Sequence, residues 1–116
     1  MPNTKILLVD PSSVAQPFLG EMLQETGEVT HFDEADKALH AVKRGLDLDI
    51  AVLRYRMSLT PLIQAIRHEN PSAKIVAYGS PRSDTPLGVD RYLNQPLLSA
   101  ELMAAVEDLR TKRRSH

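Results

Sequence analysis

The sequence predicts an α/β fold, in which helices cover both faces of a parallel β-sheet. Short apolar segments alternate along the chain with longer segments whose apolar residues recur at helical spacing, and this alternation is typical of parallel sheets. The third apolar segment, DIAVL at residues 49–53, is nearly free of polar residues, as expected for a strand buried on both faces. The 116 residues suffice for one domain with a single core.

The strands are predicted from apolar, β-branched segments that end at turn residues. They are KILLV at residues 5–9, EVTHF at 28–32, DIAVL at 49–53, KIVAY at 74–78 and RYL at 91–93. In sheets of this kind ligands bind at the carboxyl ends of the strands. We therefore expect any functional site among the residues that follow them: Asp10, Arg54, Gly79, Ser80, Asn94 and Gln95.

The helices between these strands are predicted from capping residues and glycines. The third helix carries Leu62, Ile63 and Ile66 at helical spacing, and the last one covers residues 99–114. The predicted boundaries are Ser12 or Ser13 and Gly27 for the first helix, Asp33 or Asp36 and Gly45 for the second, and Ser99 for the start of the last. We assign residues 1–112 to one domain and residues 113–116 to a basic tail.

Composition argues against several classes of function. The net charge of −1 provides no field that favours nucleic acid. The absence of cysteine excludes disulfides and thiolate zinc sites and suits a reducing cytoplasm. No signal peptide, membrane span, nucleotide-binding motif or metal-ligand spacing of the histidines is found. We expect a cytoplasmic protein that binds no metal, cofactor, nucleic acid or membrane.

Several segments together carry a resemblance to a known family. KILLVD, LDIAVLRYRM, IRHENPSAKIVAYGS, GVDRYLNQP and ELMAAVEDL follow one another in the order found in receiver domains of two-component response regulators, the chemotaxis-regulator-like family. The resemblance covers residues 4–110. It implies a flavodoxin-like, doubly wound sheet of five parallel strands in the order 2-1-3-4-5.

The resemblance also implies a set of functional positions, most of which are altered here. The family uses an aspartate as phosphoryl acceptor, an acidic pair that holds Mg²⁺, a Thr or Ser, a Lys–Pro pair and a switch aromatic. The corresponding residues are Arg54 for the acceptor, Asp10 and Pro11 for the acidic pair, Gly79 with Ser80 after it for the Thr or Ser, Gln95 and Pro96 for the Lys–Pro pair, and Tyr92 for the aromatic. Among the phosphorylation-site positions, only Asp10 keeps its family identity.

Arg54 determines what this edge of the sheet can do. A guanidinium stays protonated and has no acceptor, so it cannot attack phosphorus at neutral pH. We predict that Arg54 forms an ion pair with Asp10 in place of a metal site. The alternative is that Arg54 extends to solvent while Asp10 serves at the start of a helix. We expect Tyr92 to be a half-buried residue at the end of an edge strand.

The segment GSPRSDTPLGVD, residues 79–90, stands where the resemblance implies a fourth helix. Its prolines and glycines disfavour a regular helix, so we predict that this helix is shortened or absent. The loss would expose apolar area near Val76, Tyr78, Tyr92 and Leu93, a feature that usually marks a partner site. Alternatively, Pro86, Leu87 and Val89 fold back and cover it.

The leading hypothesis is a pseudo-receiver that cannot be phosphorylated and has no enzymatic activity. It would act by protein–protein interaction in bacterial two-component signalling, with a histidine kinase, another regulator or an output domain as partner. A homodimer is a further alternative. Two other functions stay open, namely a receiver that depends on phosphorylation and an allosteric module that senses a small anion through Arg54.

Overall fold

The computed structural model describes residues 4–10, 15–95 and 99–114. Its five strands form one parallel sheet in the order β2-β1-β3-β4-β5, which confirms the predicted flavodoxin-like topology. The strands are β1 (Thr4–Val9), β2 (Gly27–Phe32), β3 (Ile50–Arg54), β4 (Lys74–Gly79) and β5 (Arg91–Asn94).

Four helices and one short 3₁₀ turn connect and follow these strands in the described part of the chain. They are α1 (Ala15–Gln24), α2 (Ala35–Lys43), the 3₁₀ turn Met57–Leu59, α3 (Thr60–Glu69) and α4 (Ser99–Arg114).

Two helix boundaries differ from those predicted. Helix α2 is preceded by Glu34 rather than by Asp33 or Asp36, and the Glu34 side chain makes no capping hydrogen bond. Gly27 does not end the first helix but is the first residue of β2. A glycine is needed there because a side chain would collide with the carbonyl oxygen of Thr4. Helix α4 covers Ser99–Arg114, as predicted, and so includes the first two residues of the predicted tail. The predicted caps Ser12 and Ser13 lie outside the described residues.

Helices on both faces of the sheet create two cores from one set of strands. Successive residues of a strand point to opposite faces. Leu7 therefore packs in the cluster with α2 and α3, whereas Leu8 packs in the cluster with α1 and α4. In β3 the four residues from Ile50 to Leu53 are fully buried, as predicted for the central strand. The side chains of Ile50, Val52 and Leu53 each contribute about 1.5–3 kcal/mol through their burial.

No α-helix lies between β4 and β5, where residues 80–90 are all described. The predicted loss of the fourth helix is therefore confirmed. Pro86 and Val89 are buried, but Leu87 is 97% exposed. The expectation of exposed apolar area at Val76, Tyr78 and Leu93 is wrong, because these three side chains are buried in the cluster that includes α4.

Arg67 of α3 holds this long β4–β5 loop in place. Its Nε and Nη2 donate to the carbonyl oxygen of Gly88 at 3.0 and 2.7 Å, and its Nη1 donates to that of Ala73 at 2.7 Å. Nη2 also forms an ion pair with Asp90 at 2.5 Å. One guanidinium thus ties the loop to the end of α3 and to the segment before β4.

Gly88 permits this arrangement of the loop. Its φ of +85° lies in the region that residues with side chains rarely adopt. A Cβ at this position would lie 2.7 Å from Cγ2 of Ile63. The neighbouring Leu87 is therefore presented outward by a backbone that α3 constrains.

We expect Arg67→Met to lower the free energy of unfolding by about 2–3 kcal/mol, because the Gly88 and Ala73 carbonyls and Asp90 lose a charged donor at once. Urea denaturation followed by circular dichroism measures the loss. Arg44→Met removes an arginine from an exposed position at the end of α2 and is expected to change stability by less than about 0.5 kcal/mol. Equal effects of the two substitutions would contradict the proposed role of Arg67.

Candidate functional site at the carboxyl edge of the sheet

Three central strands bring the predicted site residues to one edge. Strand β1 is followed directly by Asp10, β3 ends at Arg54 and β4 ends at Gly79. Arg54 pairs in register with Tyr78 of β4, and residues in register on parallel strands project to the same face of the sheet. The edge therefore places a carboxylate, a guanidinium and a phenol near one another.

Asp10 is completely buried, and it is the only charged residue among those described that is. Its carboxylate accepts a hydrogen bond from the hydroxyl of Tyr78, and its backbone N–H donates to the carbonyl oxygen of Phe32 at 3.3 Å. A buried carboxylate without donors costs several kcal/mol. The phenol of Tyr78 therefore provides part of what keeps Asp10 inside the protein.

The environment of Tyr78 favours its neutral, donating form. Burial raises the pKa of Tyr78 well above its ordinary value of 10, and the hydrogen bond to Asp10 and the negative charge of Asp10 raise it further. The positive charge of Arg54 acts in the opposite direction. Tyr78 is thus a persistent hydrogen-bond donor to Asp10 at physiological pH.

The arrangement at Asp10 differs from the ion pair that the sequence predicts. Among the ion pairs formed between described residues within 4.0 Å, none joins Asp10 to Arg54. Tyr78, the neighbour of Arg54 in the sheet, donates to the carboxylate instead. Arg54 is half-buried and lines a surface cleft. This position is closer to the alternative prediction, in which the Arg54 side chain extends to solvent.

This cleft, of about 340 Å³, lies between the end of β3 and the start of α2. Arg54 and Arg56 line one side, and the residues from Asp33 to Asp36 contribute carboxylates to the other. Val9 and Leu59 add apolar surface. Carboxylates in the same cleft oppose the binding of a purely anionic ligand through Arg54.

Gly79 leaves space that the hydroxyl of Tyr92 uses. A Cβ at position 79 would lie 2.9 Å from this hydroxyl, which donates to the backbone carbonyl of Ser80 at 2.7 Å. Tyr92 is half-buried, as predicted, but lies within the edge strand β5 and not at its end, and burial raises its pKa. A Thr at position 79 would have to displace the phenol from its present position.

An aromatic and cationic cluster surrounds Tyr92. Its ring meets that of Tyr55 edge to face, with centroids 5.9 Å apart. The guanidinium of Arg82 lies 5.2 Å from the centroid of the Tyr55 ring and 5.7 Å from that of Tyr92, and it pairs with Asp84 at 3.1 Å. The edge-to-face and cation–π contacts favour the observed position of Tyr92.

The remaining predicted positions contribute little to this edge. The backbone N–H of Gln95 donates to the carbonyl oxygen of Gly79 at 2.7 Å, and the Ser80 side chain is exposed. Pro11 and Pro96 lie outside the described residues. Within the described ranges, no group of three or more histidine, aspartate or glutamate side chains is arranged to hold a metal ion, and no helix has the length and apolarity to cross a bilayer.

Sequence reasoning missed the two tyrosines that organise the edge. Tyr78 lies in an otherwise aliphatic, buried strand, and a buried phenol usually requires a hydrogen-bond partner, so a signal for its role was present. Tyr55 directly follows β3 and contacts Tyr92. No local pattern pointed to this contact, because it joins residues from two separate strand ends.

We expect Tyr78→Phe to lower the free energy of unfolding by about 1–3 kcal/mol, because the buried carboxylate of Asp10 loses a donor while little volume changes. Urea denaturation at pH 7 measures this loss. Tyr92→Phe is the matched control, since its hydroxyl bonds a carbonyl in a more exposed position, and we expect an effect below about 1 kcal/mol.

The same pair of proteins has an expected pH dependence. A group whose pKa is raised by folding stabilises the protein fully below its unfolded pKa, and this contribution is lost as the pH rises toward the folded pKa. The stability difference between wild type and Tyr78→Phe should therefore be constant below pH 9 and narrow as the pH rises beyond about 10. A difference that widens with alkaline pH would contradict the assignment of Tyr78 as donor to Asp10.

Solved structures with the same architecture include receiver domains. A response regulator receiver protein from Sinorhizobium medicae WSM419 superposes with a TM-score of 0.80 at 26% identity, over 96% of this chain and 97% of that chain. A response regulator receiver domain protein from Methanospirillum hungatei JF-1 gives a TM-score of 0.82 at 17% identity, over 97% of both chains. A structure described as adenylate cyclase from Rhodopirellula baltica gives 0.79 at 24% identity, over 97% of this chain and 90% of that chain.

These similarities lie in the fold more than in the sequence. No protein-family model matches the chain, and no curated protein sequence matches it significantly. The strand order, the helices on both faces and the agreement over nearly the whole length nevertheless coincide. The chain has the fold of the receiver domains of two-component response regulators.

Proposed function

We propose that the chain is a pseudo-receiver, a regulatory module of two-component-type signalling that takes up no phosphoryl group and acts by binding another protein. The observation that carries this proposal is the pair of groups at the carboxyl edge of the sheet. Arg54 stands at the end of β3, and the buried carboxylate of Asp10 is engaged by Tyr78.

The lack of a nucleophile supports the proposal. Phosphoryl transfer to a protein requires a group with an available lone pair in line with the leaving oxygen. The guanidinium of Arg54 offers only donors. Asp10, which directly follows β1, has no exposed surface.

The residues of this edge also do not suit Mg²⁺, which the resemblance implies. Mg²⁺ prefers oxygen ligands in near-ideal octahedral geometry and is usually held by one or two carboxylates. Here one carboxylate accepts a hydrogen bond from Tyr78, and Arg54 adds positive charge to the same edge. The proposal therefore contains no metal-dependent step.

Phosphorylation at another acid is the main alternative, and the geometry gives it little support. Asp47 and Asp49 precede β3 and so lie at the amino end of the sheet. Asp47 forms an ion pair with the ammonium of Lys5 at 3.2 Å, and Asp49 accepts a hydrogen bond from the backbone N–H of Lys5 at 2.8 Å. Neither carboxylate can reach the edge where Arg54 and Asp10 lie.

The surface around Leu87 supports binding of a protein partner. Leu87 is the only exposed large hydrophobic residue among those described, at 97% exposure. It borders a mainly apolar groove of about 470 Å³ that Tyr55 and Ile63 also line. An exposed leucine on a constrained backbone beside a groove loses little conformational entropy on binding.

We place the partner-binding surface at this groove and name as its occupant another signalling protein: a histidine kinase, a second regulator or an output domain. The groove exists because residues 80–90 form a loop where the resemblance implies a helix. Binding of a second copy of the chain is the competing possibility.

Treatment with acetyl phosphate and Mg²⁺ tests the lack of phosphorylation. We expect no gain of a phosphoryl group by intact-mass spectrometry at neutral pH, because Arg54 offers no nucleophile and Asp10 is buried. The same treatment of Asp10→Asn is the control. A phosphoryl adduct on the wild type that alkali or hydroxylamine removes, and that is absent from Asp10→Asn, would overturn the proposal and identify Asp10 as the acceptor.

A photo-crosslinking residue at position 87 tests the interaction surface. We expect a discrete adduct with one partner in the native host, and none from the same residue at Asp47, at the other end of the sheet. Leu87→Asp should then weaken binding of the adduct protein by at least about tenfold, while Thr85→Asp, which adds the same charge beside it, should change it by less than about threefold. Equal effects of both variants would place the interface elsewhere, and an adduct between two copies of the chain would favour the homodimer.

A further inference from the structure

We infer that the cleft between β3 and α2 is a binding site for a small zwitterion, an α-amino acid. The carboxylate of the amino acid binds to Arg54 and Arg56, and its ammonium group binds to Asp36. This inference concerns a different surface from the groove at Leu87. It requires neither phosphorylation nor a protein partner and holds or fails independently of the proposed function.

The cationic side of the cleft consists of two guanidiniums, that of Arg54 at the end of β3 and that of Arg56 two residues later. Arg54 is half-buried and Arg56 is exposed, and both line the cleft. In the part of the chain that the structure describes, neither guanidinium takes part in an ion pair within 4.0 Å. Each guanidinium offers a forked pair of donors that can bind a carboxylate through two oxygens.

The acidic side comes from the corner between β2 and α2. Asp33 and Glu34 already contact the ammonium of Lys37, at 3.4 and 3.3 Å. Asp36, in the first turn of α2, also lines the cleft and forms no ion pair with another described residue. It is the carboxylate best placed to receive an ammonium group.

The two sides face one cavity without contacting each other. Groups of opposite charge at the surface attract one another, and long arginine side chains normally reach a nearby carboxylate. Here no ion pair joins Arg54 or Arg56 to the carboxylates that line the same cleft. The separation leaves room for a molecule that contacts both sides, and a volume of about 340 Å³ falls at the lower end of the range for small-molecule sites.

The balance of charge selects the class of ligand. A simple anion such as phosphate would be attracted by the two guanidiniums but repelled by the carboxylates of Asp33, Glu34 and Asp36. A simple cation would be attracted by these carboxylates but repelled by the guanidiniums. A zwitterion satisfies both sides at once. The apolar surface of Val9 and Leu59 is suited to the aliphatic part of the side chain of the amino acid.

Titration of the ¹⁵N-labelled chain with each of the common L-amino acids, at concentrations up to about 10 mM, tests the inference by amide NMR. We expect at least one of them to cause saturable shifts in residues 33–36 and 54–59. Succinate, which has two carboxylates, and putrescine, which has two amines, should cause no saturable shift at the same concentrations. Inorganic phosphate serves as the probe for a simple anion site.

Variants assign the two sides of the cleft. Arg54→Gln with Arg56→Gln, and separately Asp36→Asn, should each weaken binding by about tenfold or more, while Asp47→Asn, at the other end of the sheet, should leave it unchanged. Thermal unfolding of each variant confirms that it is folded. The inference is overturned if no amino acid causes saturable shifts, if phosphate or succinate binds as tightly as the best amino acid, or if binding is unaffected by Asp36→Asn.

Discussion

The hydrogen bond between Tyr78 and the buried carboxylate of Asp10 is the contact on which the edge of the sheet depends. A charge with no exposed surface must be stabilised by the protein, because transfer from water is otherwise unfavourable by several kcal/mol. The protein provides a neutral donor, the phenol of Tyr78 on β4. Burial of this phenol keeps it protonated. Asp10 is thereby part of the interior and not a ligand held out toward solvent.

The positions of Arg54, Gly79 and Tyr92 are compatible with the hydrogen bond between Tyr78 and Asp10. Tyr78 donates a hydrogen bond to Asp10, whereas Arg54 lines a separate cleft. Because residue 79 is glycine, the Tyr92 hydroxyl occupies space that a side chain would fill. Asp10, Arg54 and Gly79 are thus accommodated together at this end of the sheet.

Much of the fold could be predicted from the sequence, since apolar runs and glycines mark the strands and helix ends, and since the prolines between β4 and β5 exclude a helix there. The partner of Asp10 could not, because Tyr78 lies 68 residues away and only the register of three strands brings them together. The mixed charge of the cleft was also hidden, since its arginines follow β3 whereas its carboxylates belong to the β2–α2 corner. In one of the two alternatives Leu87 covers the sheet together with Pro86 and Val89, but Leu87 is exposed and only the other two are buried.

The most direct test of this account is an amide NMR titration of the full chain with Mg²⁺, followed by beryllofluoride, read at Asp10, Arg54 and Tyr78. If Asp10 is committed to Tyr78 and Arg54 repels cations, these amides should show no saturable shift with Mg²⁺ and no further change with beryllofluoride. Saturable shifts at Asp10 with Mg²⁺, followed by a new set of resonances with beryllofluoride, would show that the edge still assembles a phosphoryl-binding site and would contradict the account.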